Sequence, residues 1–203
     1  FFFEHTDVFY DFYYQFFLKD SVKPNKAHLA LARLEKMGKL KAVITQNIDG
    51  LHQEAGSKTV IELHGTTFEH FCVSCGSSFE KEKIEALKGG IPHCENCGGL
   101  VKPKVVLYEE SLDQKAISDC IEYIQNADML IIGGTSLAVY PAAGLVRYYT
   151  GKDIVVINKS DSKKVKDNEY EFYELGFSNY IKVSGEHGTG IGDLLDLVTK
   201  DFK

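Results

Sequence analysis

The sequence predicts an α/β protein, a doubly wound parallel sheet interrupted by a small four-cysteine module. Three observations carry this. "DMLIIGG" at 128–134 and "DIVVI" at 153–157 are continuous apolar runs, as expected of strands buried on both faces of a parallel sheet. Between them "PAAGLVRYY" fits a helix, and strand–helix–strand in this rhythm defines the doubly wound class. Two C-x-x-C pairs, Cys72/Cys75 and Cys94/Cys97, stand eighteen residues apart in a stretch poor in large apolar side chains.

The other elements follow in order. Phe1 to Leu18 is dense in Phe and Tyr and predicts one or two buried helical segments. "KPNKAHLALARLEKMGK" is a helix with Pro24 near its start, Ala27, Leu31, Leu34 and Met37 on one face, and Gly38 at its end. "LKAVIT", "TVIEL" and "KVVLY" (104–108) are short β-branched runs and predict strands. "DQKAISDCIEYIQNA" predicts a helix that turns Cys120 into the core, and "GIGDLLDLVTKDF" predicts the last helix.

The 203 residues suffice for one large domain or a domain with a small satellite. A hydrophobic content of 44% argues against disorder throughout, and 29 acidic against 23 basic residues argue against a nucleic-acid surface as the main business. No apolar run approaches the roughly 20 residues a membrane helix needs. Five cysteines, an odd number, favour reduced thiols and metal over disulfides and hence a cytoplasmic location.

The spacing of Cys72, Cys75, Cys94 and Cys97 is that of a tetrahedral zinc site. The segment from Phe71 to Val101 holds too few large apolar residues to fold on these alone. A structural zinc ion contributes on the order of 10–16 kcal/mol. Four thiolates leave no open coordination position, so the zinc is structural, and His70 and His93 are bystanders.

Polar residues recur directly after the strands: "QNIDG" after the first, "HG" after "TVIEL", "TS" after "DMLIIGG" and "NKS" after "DIVVI". In open α/β sheets ligands bind outside the carboxyl ends of strands, so these point to one site fed by several strand ends. Taken singly, His28 and His52 are more often structural.

In order, "PNKAHLAL", "TQNIDGLHQEAG", "ELHG", the double C-x-x-C, "VVLYEE", "GGTSLAVYPAAGL" and "VVINKS" resemble the sirtuin family of NAD-dependent protein lysine deacylases, in particular its bacterial-type members. The resemblance implies a Rossmann-like NAD-binding domain made of 1–67 and 102–203, with 68–101 as a zinc-ribbon-like module. It also implies a reaction. An acyl-lysine carbonyl oxygen attacks C1′ of the nicotinamide ribose, nicotinamide leaves, and a general base activates the ribose so that its 2′-hydroxyl attacks the resulting imidate. Free lysine, nicotinamide and O-acyl-ADP-ribose are the products, and acetyl is the expected acyl group.

On this resemblance His64 is the base. Gln46, Asn47, Ile48 and Asp49 surround the nicotinamide and its ribose. Gly134, Thr135 and Ser136 lie under ribose and phosphates, Asn158, Lys159 and Ser160 at the adenosine ribose, and His187 at adenine. Val105, Val106, Leu107, Tyr108 and Glu109 are similar to the family's segment that pairs with the substrate peptide as an added strand. The family usually has Gly where this chain has Glu109, so a Cβ and a charge stand where backbone comes close. The family also opens with a strand and a "GAGxS" turn that does not precede Phe1. The natural protein is therefore expected to carry a further N-terminal portion, and the residues from Phe1 onward alone are expected to bind NAD poorly. Two alternatives accompany this reading: transfer of ADP-ribose to a protein, and a non-catalytic, zinc-containing binding module.

Overall fold

Short β-branched runs set the first parallel pair. In the computed structural model, which describes residues 1–18, 22–87, 89–135, 140–151, 153–157 and 190–199, strand β1 (Val43–Thr45) pairs in parallel with β2 (Val60–Glu62). The register sets Val43 beside Val60 and Thr45 beside Glu62, so both strands deliver their carboxyl ends to the same edge. Between them lies the short helix α3 (Leu51–Glu54). The chain divides into two units, residues 1–116 and 117–203. Among the described residues no helix is long and apolar enough to cross a membrane.

Helix α2 (Lys26–Lys36) begins on Asn25, whose side chain accepts the N–H groups of Ala27 and His28, while His28 Nδ1 accepts the Asn25 N–H. That reciprocal cap gives His28 a structural role. The predicted apolar face of α2 is only partly covered: Leu31 and Leu34 are half-buried and Met37 is exposed. The helix acts instead through Glu35, whose two carboxylate oxygens accept the N–H groups of Lys58 and Thr59, each at 2.7 Å, and so fix the entry to β2. The Lys58 N–H does most to hold the Glu35 carboxyl below its ordinary value, and the Thr59 N–H adds to it. A carboxyl lowered in the folded state adds stability that is complete above its unfolded value and is lost as pH falls. Melting temperature measured from neutral pH down through the carboxylate range should therefore fall less steeply for Glu35→Gln than for the natural chain.

The four-cysteine segment forms an antiparallel sheet of β3 (Gly65–Cys72), β4 (Ser78–Glu80) and β5 (Val101–Val105) in the order β4-β3-β5, with α4 (Lys81–Glu85) following β4. Its core comes largely from outside. Helix α1 (Thr6–Phe16) brings Tyr10 and Tyr13, with Phe2 and Leu18 from its flanks, against Cys72, Ile84, Cys94 and Val101. The aromatic N-terminal stretch is thus core on one side, while Phe1, Phe3, Phe12 and Phe16 are exposed on the other.

Each buried tyrosine of α1 finds a partner. Tyr10 donates its hydroxyl to the Val101 carbonyl at 2.5 Å, and burial holds its phenol well above the ordinary value, so it stays a donor. Tyr13 meets His70 Nε2 at 3.0 Å, and burial, followed by the Lys81 charge, pushes His70 down to about 4, so its ring is neutral. Tyr10→Phe keeps the ring and orphans a buried carbonyl. The expected cost is about 1–3 kcal/mol, read as a lower urea midpoint at unchanged slope.

One sequence expectation shifts, and another is refined. The predicted strand at 104–108 runs instead over 101–105, because the chain turns at Leu107–Glu110, where the Glu110 N–H bonds the Leu107 carbonyl. The helix predicted after Pro141 is present and is of the 3₁₀ kind, Ala142–Tyr148, beginning with a Gly144 N–H to Pro141 carbonyl bond. Pro141 has no N–H and Gly144 is a poor helix former, so the α form gains little there.

In the second unit, β6 (Met129–Gly133) pairs in parallel with β7 (Asp153–Ile157) along its whole length. Burial on both faces is incomplete on β6: Ile132 is buried while Ile131 and Gly133 are exposed. Helix α5 (Gln114–Gln125), which spans the boundary between the units, buries Cys120 fully, and burial and then Asp119 push its thiol up to about 11. That is a packing thiol, as its spacing predicts.

Candidate functional site

The polar stretch after β1 is held by its own short-range bonds. Thr45 Oγ1 accepts the Asn47 N–H at 3.0 Å, and Asp49 Oδ1 accepts the Leu51 N–H at 3.0 Å, an Asx turn leading into α3. The Ile48 carbonyl accepts both the N–H and the hydroxyl of Thr67 at the start of β3, at 3.1 and 3.0 Å. The backbone is thus tied down on both sides, with Asn47 and Asp49 exposed and Gln46 and Ile48 half-buried. Thr67 was not legible as a site residue, since nothing in its spacing separates it from an ordinary strand threonine.

His64 follows β2 and is half-buried. Its Nδ1 lies 3.1 Å from the Gln46 carbonyl oxygen. A carbonyl only accepts, so Nδ1 carries the hydrogen, and in the neutral ring Nε2 presents its lone pair. An imidazole fixed in this tautomer can take a proton at Nε2. The His64 carbonyl in turn accepts the Val106 N–H at 2.9 Å. Next to it Gly65 has φ +77°, and a Cβ there would meet the Lys104 carbonyl, so only glycine lets the two segments approach. One imidazole is therefore fastened to "QNID" through its ring and to "VVL" through its backbone.

The five residues of the predicted peptide segment do not form one strand. Val105 ends β5, Val106 is bonded to His64, Leu107 is half-buried, Tyr108 is fully exposed, and Glu109 sits in the turn at φ +73°. Glu109 is the only non-glycine with positive φ among the described residues, so the position that usually holds Gly in the resembled family keeps a glycine-like conformation here.

Cys72, Cys75, Cys94 and Cys97 place their Sγ atoms all within 4.8 Å of one another, with Cys72–Cys97 at 3.5 Å and Cys75–Cys94 at 3.6 Å. These separations are far beyond a disulfide bond. They match the roughly 3.8 Å edge of a tetrahedron whose centre lies about 2.3 Å from each sulfur, the zinc–sulfur distance. The Ser77 hydroxyl, at 3.2 Å, and its backbone N–H lower the Cys75 thiol to about 6, favouring a thiolate ligand. The four sulfurs fit a zinc ion, and neither His70 nor His93 joins the group; His93 Nδ1 bonds the Gly98 carbonyl instead.

In the second unit, Gly134 stands just after β6 at φ +67°, exposed, and Thr135 beside it is half-buried. Ser136, Asn158, Lys159, Ser160 and His187 lie outside the described residues. His52, taken from sequence as structural, packs edge-on against His28 with ring centroids 4.6 Å apart.

Comparison with known proteins agrees with these features. The NAD-dependent protein deacetylase of Clostridium acetobutylicum is 53% identical over 169 residues, 83% of this chain and 68% of that protein. That of Clostridium tetani is 56% identical over 162 residues, 80% and 66%. The chain thus spans about two thirds of the length of these relatives. A solved structure of a Sir2 protein with a p53 peptide and NAD+ is 39% identical and superposes with a TM-score of 0.72 over 86% of this chain and 80% of that one. The model of the Sir2 family matches residues 1–141, well over half of the chain, and the chain therefore belongs to the Sir2 family.

Proposed function

We propose that this chain is an NAD-dependent protein lysine deacylase in which His64 is the general base. The observation that carries the reading is the placement of His64: its Nδ1–H points at the Gln46 carbonyl and its own carbonyl receives the Val106 N–H. That ties the proton acceptor both to the stretch read as the nicotinamide–ribose pocket and to the segment read as the peptide edge.

When bound, NAD supplies the electrophilic ribose carbon and the hydroxyl to which the acyl group passes. The chain does the rest. Gln46, Asn47 and Asp49 orient the carboxamide and ribose hydroxyls, Ile48 walls the pocket, and Nε2 of His64 accepts the ribose proton. Gly134 and Thr135, with Ser136, take the ribose and phosphates, and Asn158, Lys159, Ser160 and His187 take the adenosine end. Val105–Glu109 docks the acyl-lysine peptide, and acetyl is the expected acyl group.

Cys72, Cys75, Cys94 and Cys97 hold one structural zinc ion. With all four positions taken by sulfur it supplies folding energy and no Lewis-acid chemistry. We read 68–101 as the zinc module and 1–67 with 102–203 as the NAD-binding domain. The closure of four sulfurs on one centre supports the first, and the parallel pairs β1–β2 and β6–β7 support the second. Reduced, metal-spaced cysteines support a cytoplasmic location.

The test is the product. The full-length protein, given NAD and an acetyl-lysine peptide, should release nicotinamide, free lysine and O-acetyl-ADP-ribose by mass spectrometry. A target that gains ADP-ribose would assign transferase activity instead, and unchanged peptide and NAD would leave only the binding module.

A further inference from the structure

Lys102 is a lysine in an unusual place. It lies on β5 between Val101 and Pro103, is only 4% exposed, and sets its ammonium near the Phe71 ring, 5.7 Å from the centroid. A buried charge needs a partner. Lys102 Nζ donates to the Val105 carbonyl and to Glu110 Oε2, both at 2.9 Å. Glu110 Oε2 also accepts the Leu107 N–H at 2.8 Å, and the Glu110 N–H closes the turn on the Leu107 carbonyl at 3.0 Å. The buried ammonium therefore holds the segment 105–110 at both ends.

Within that segment sits Glu109 at φ +73°, a conformation L-residues avoid. Strain of this kind persists where the surroundings over-determine it, and the Lys102–Glu110 pair supplies that constraint. Val106, between the two anchored ends, carries the bond to His64.

We infer that Lys102 and Glu110 are positioning residues for the acyl-lysine substrate: their ion pair fixes the edge 105–109 in the form that docks the peptide, without touching the peptide. This rests on the reading of Val105–Glu109 as the peptide segment. Edge pairing gives affinity only if the backbone groups are held in register, so loosening the clamp should appear as weaker peptide binding while NAD binding stays as it was.

The experiment is fluorescence anisotropy of a labelled acetyl-lysine peptide on the full-length protein, with steady-state kinetics alongside. Lys102→Met keeps the volume and removes the charge. Glu110→Gln, at an exposed position, removes the charge with little demand on folding. Both should weaken peptide binding about tenfold, raise the peptide KM in parallel and leave the NAD KM within about twofold. Glu109→Gly, added to Lys102→Met, lets the turn form without the clamp and should recover most of the loss. Peptide affinity within twofold of the natural protein in Glu110→Gln, or a parallel loss of peptide and NAD affinity that Glu109→Gly does not relieve, overturns the inference. If the natural protein does not deacylate at all, it is the underlying reading that fails.

Discussion

Replacing His64 by alanine in the full-length protein is expected to slow deacylation by about 10²–10⁴-fold, the usual worth of a positioned proton acceptor. The loss should fall on kcat, since the imidazole accepts its proton only as the reaction proceeds, and the peptide KM should change little. The fold should survive. His64 is half-buried, its ring makes one hydrogen bond among the described residues, to the Gln46 carbonyl, and its link to Val106 is through backbone that alanine retains. Unchanged melting with lost turnover is thus the expected pair of results. Near-normal turnover would remove His64 from the chemistry.

The second large effect concerns the cysteines. Cys94 is buried in the same cluster as Tyr10, Tyr13 and Val101, so its sulfur serves both the metal and the core. Cys94→Ser should abolish stoichiometric zinc, measured by elemental analysis, and replace one cooperative unfolding transition by a broad, non-cooperative one. Chelation of the natural protein should release one zinc per chain with the same change in melting. Because Gly65 and Val106 tie this sheet to His64, deacylation should fall as the metal leaves. A protein isolated without zinc that melts sharply would contradict the assignment.

The parts of this site that were legible in sequence are those whose chemistry is local. The cysteines announce themselves by spacing, and they converge as that spacing requires. "ELHG" and "TQNID" follow short β-branched runs, and parallel pairing of those runs carries His64 to Gln46. What was not legible depends on partners distant in sequence. Lys102 and Glu110 lie eight residues apart, on a strand and beyond its end, and the turn at Leu107 brings them together. The same turn shortens the strand expected over 104–108. The aromatic run of α1 reads as core, but periodicity does not reveal that the core is the cysteine module. The conformation of Glu109 is hidden for another reason: glutamate is a poor signal for positive φ.

One imidazole, oriented by the Gln46 carbonyl, is proposed to face both the dinucleotide and the peptide edge. A crystal structure of the full-length protein with NAD and an acetyl-lysine peptide measures this directly. His64 Nε2 should lie within about 2.6–3.2 Å of a ribose hydroxyl, or be bridged to it by one water, with Nδ1 still on Gln46. Nicotinamide ribose bound far from that ring, with the acetyl-lysine away from Val106, would contradict it.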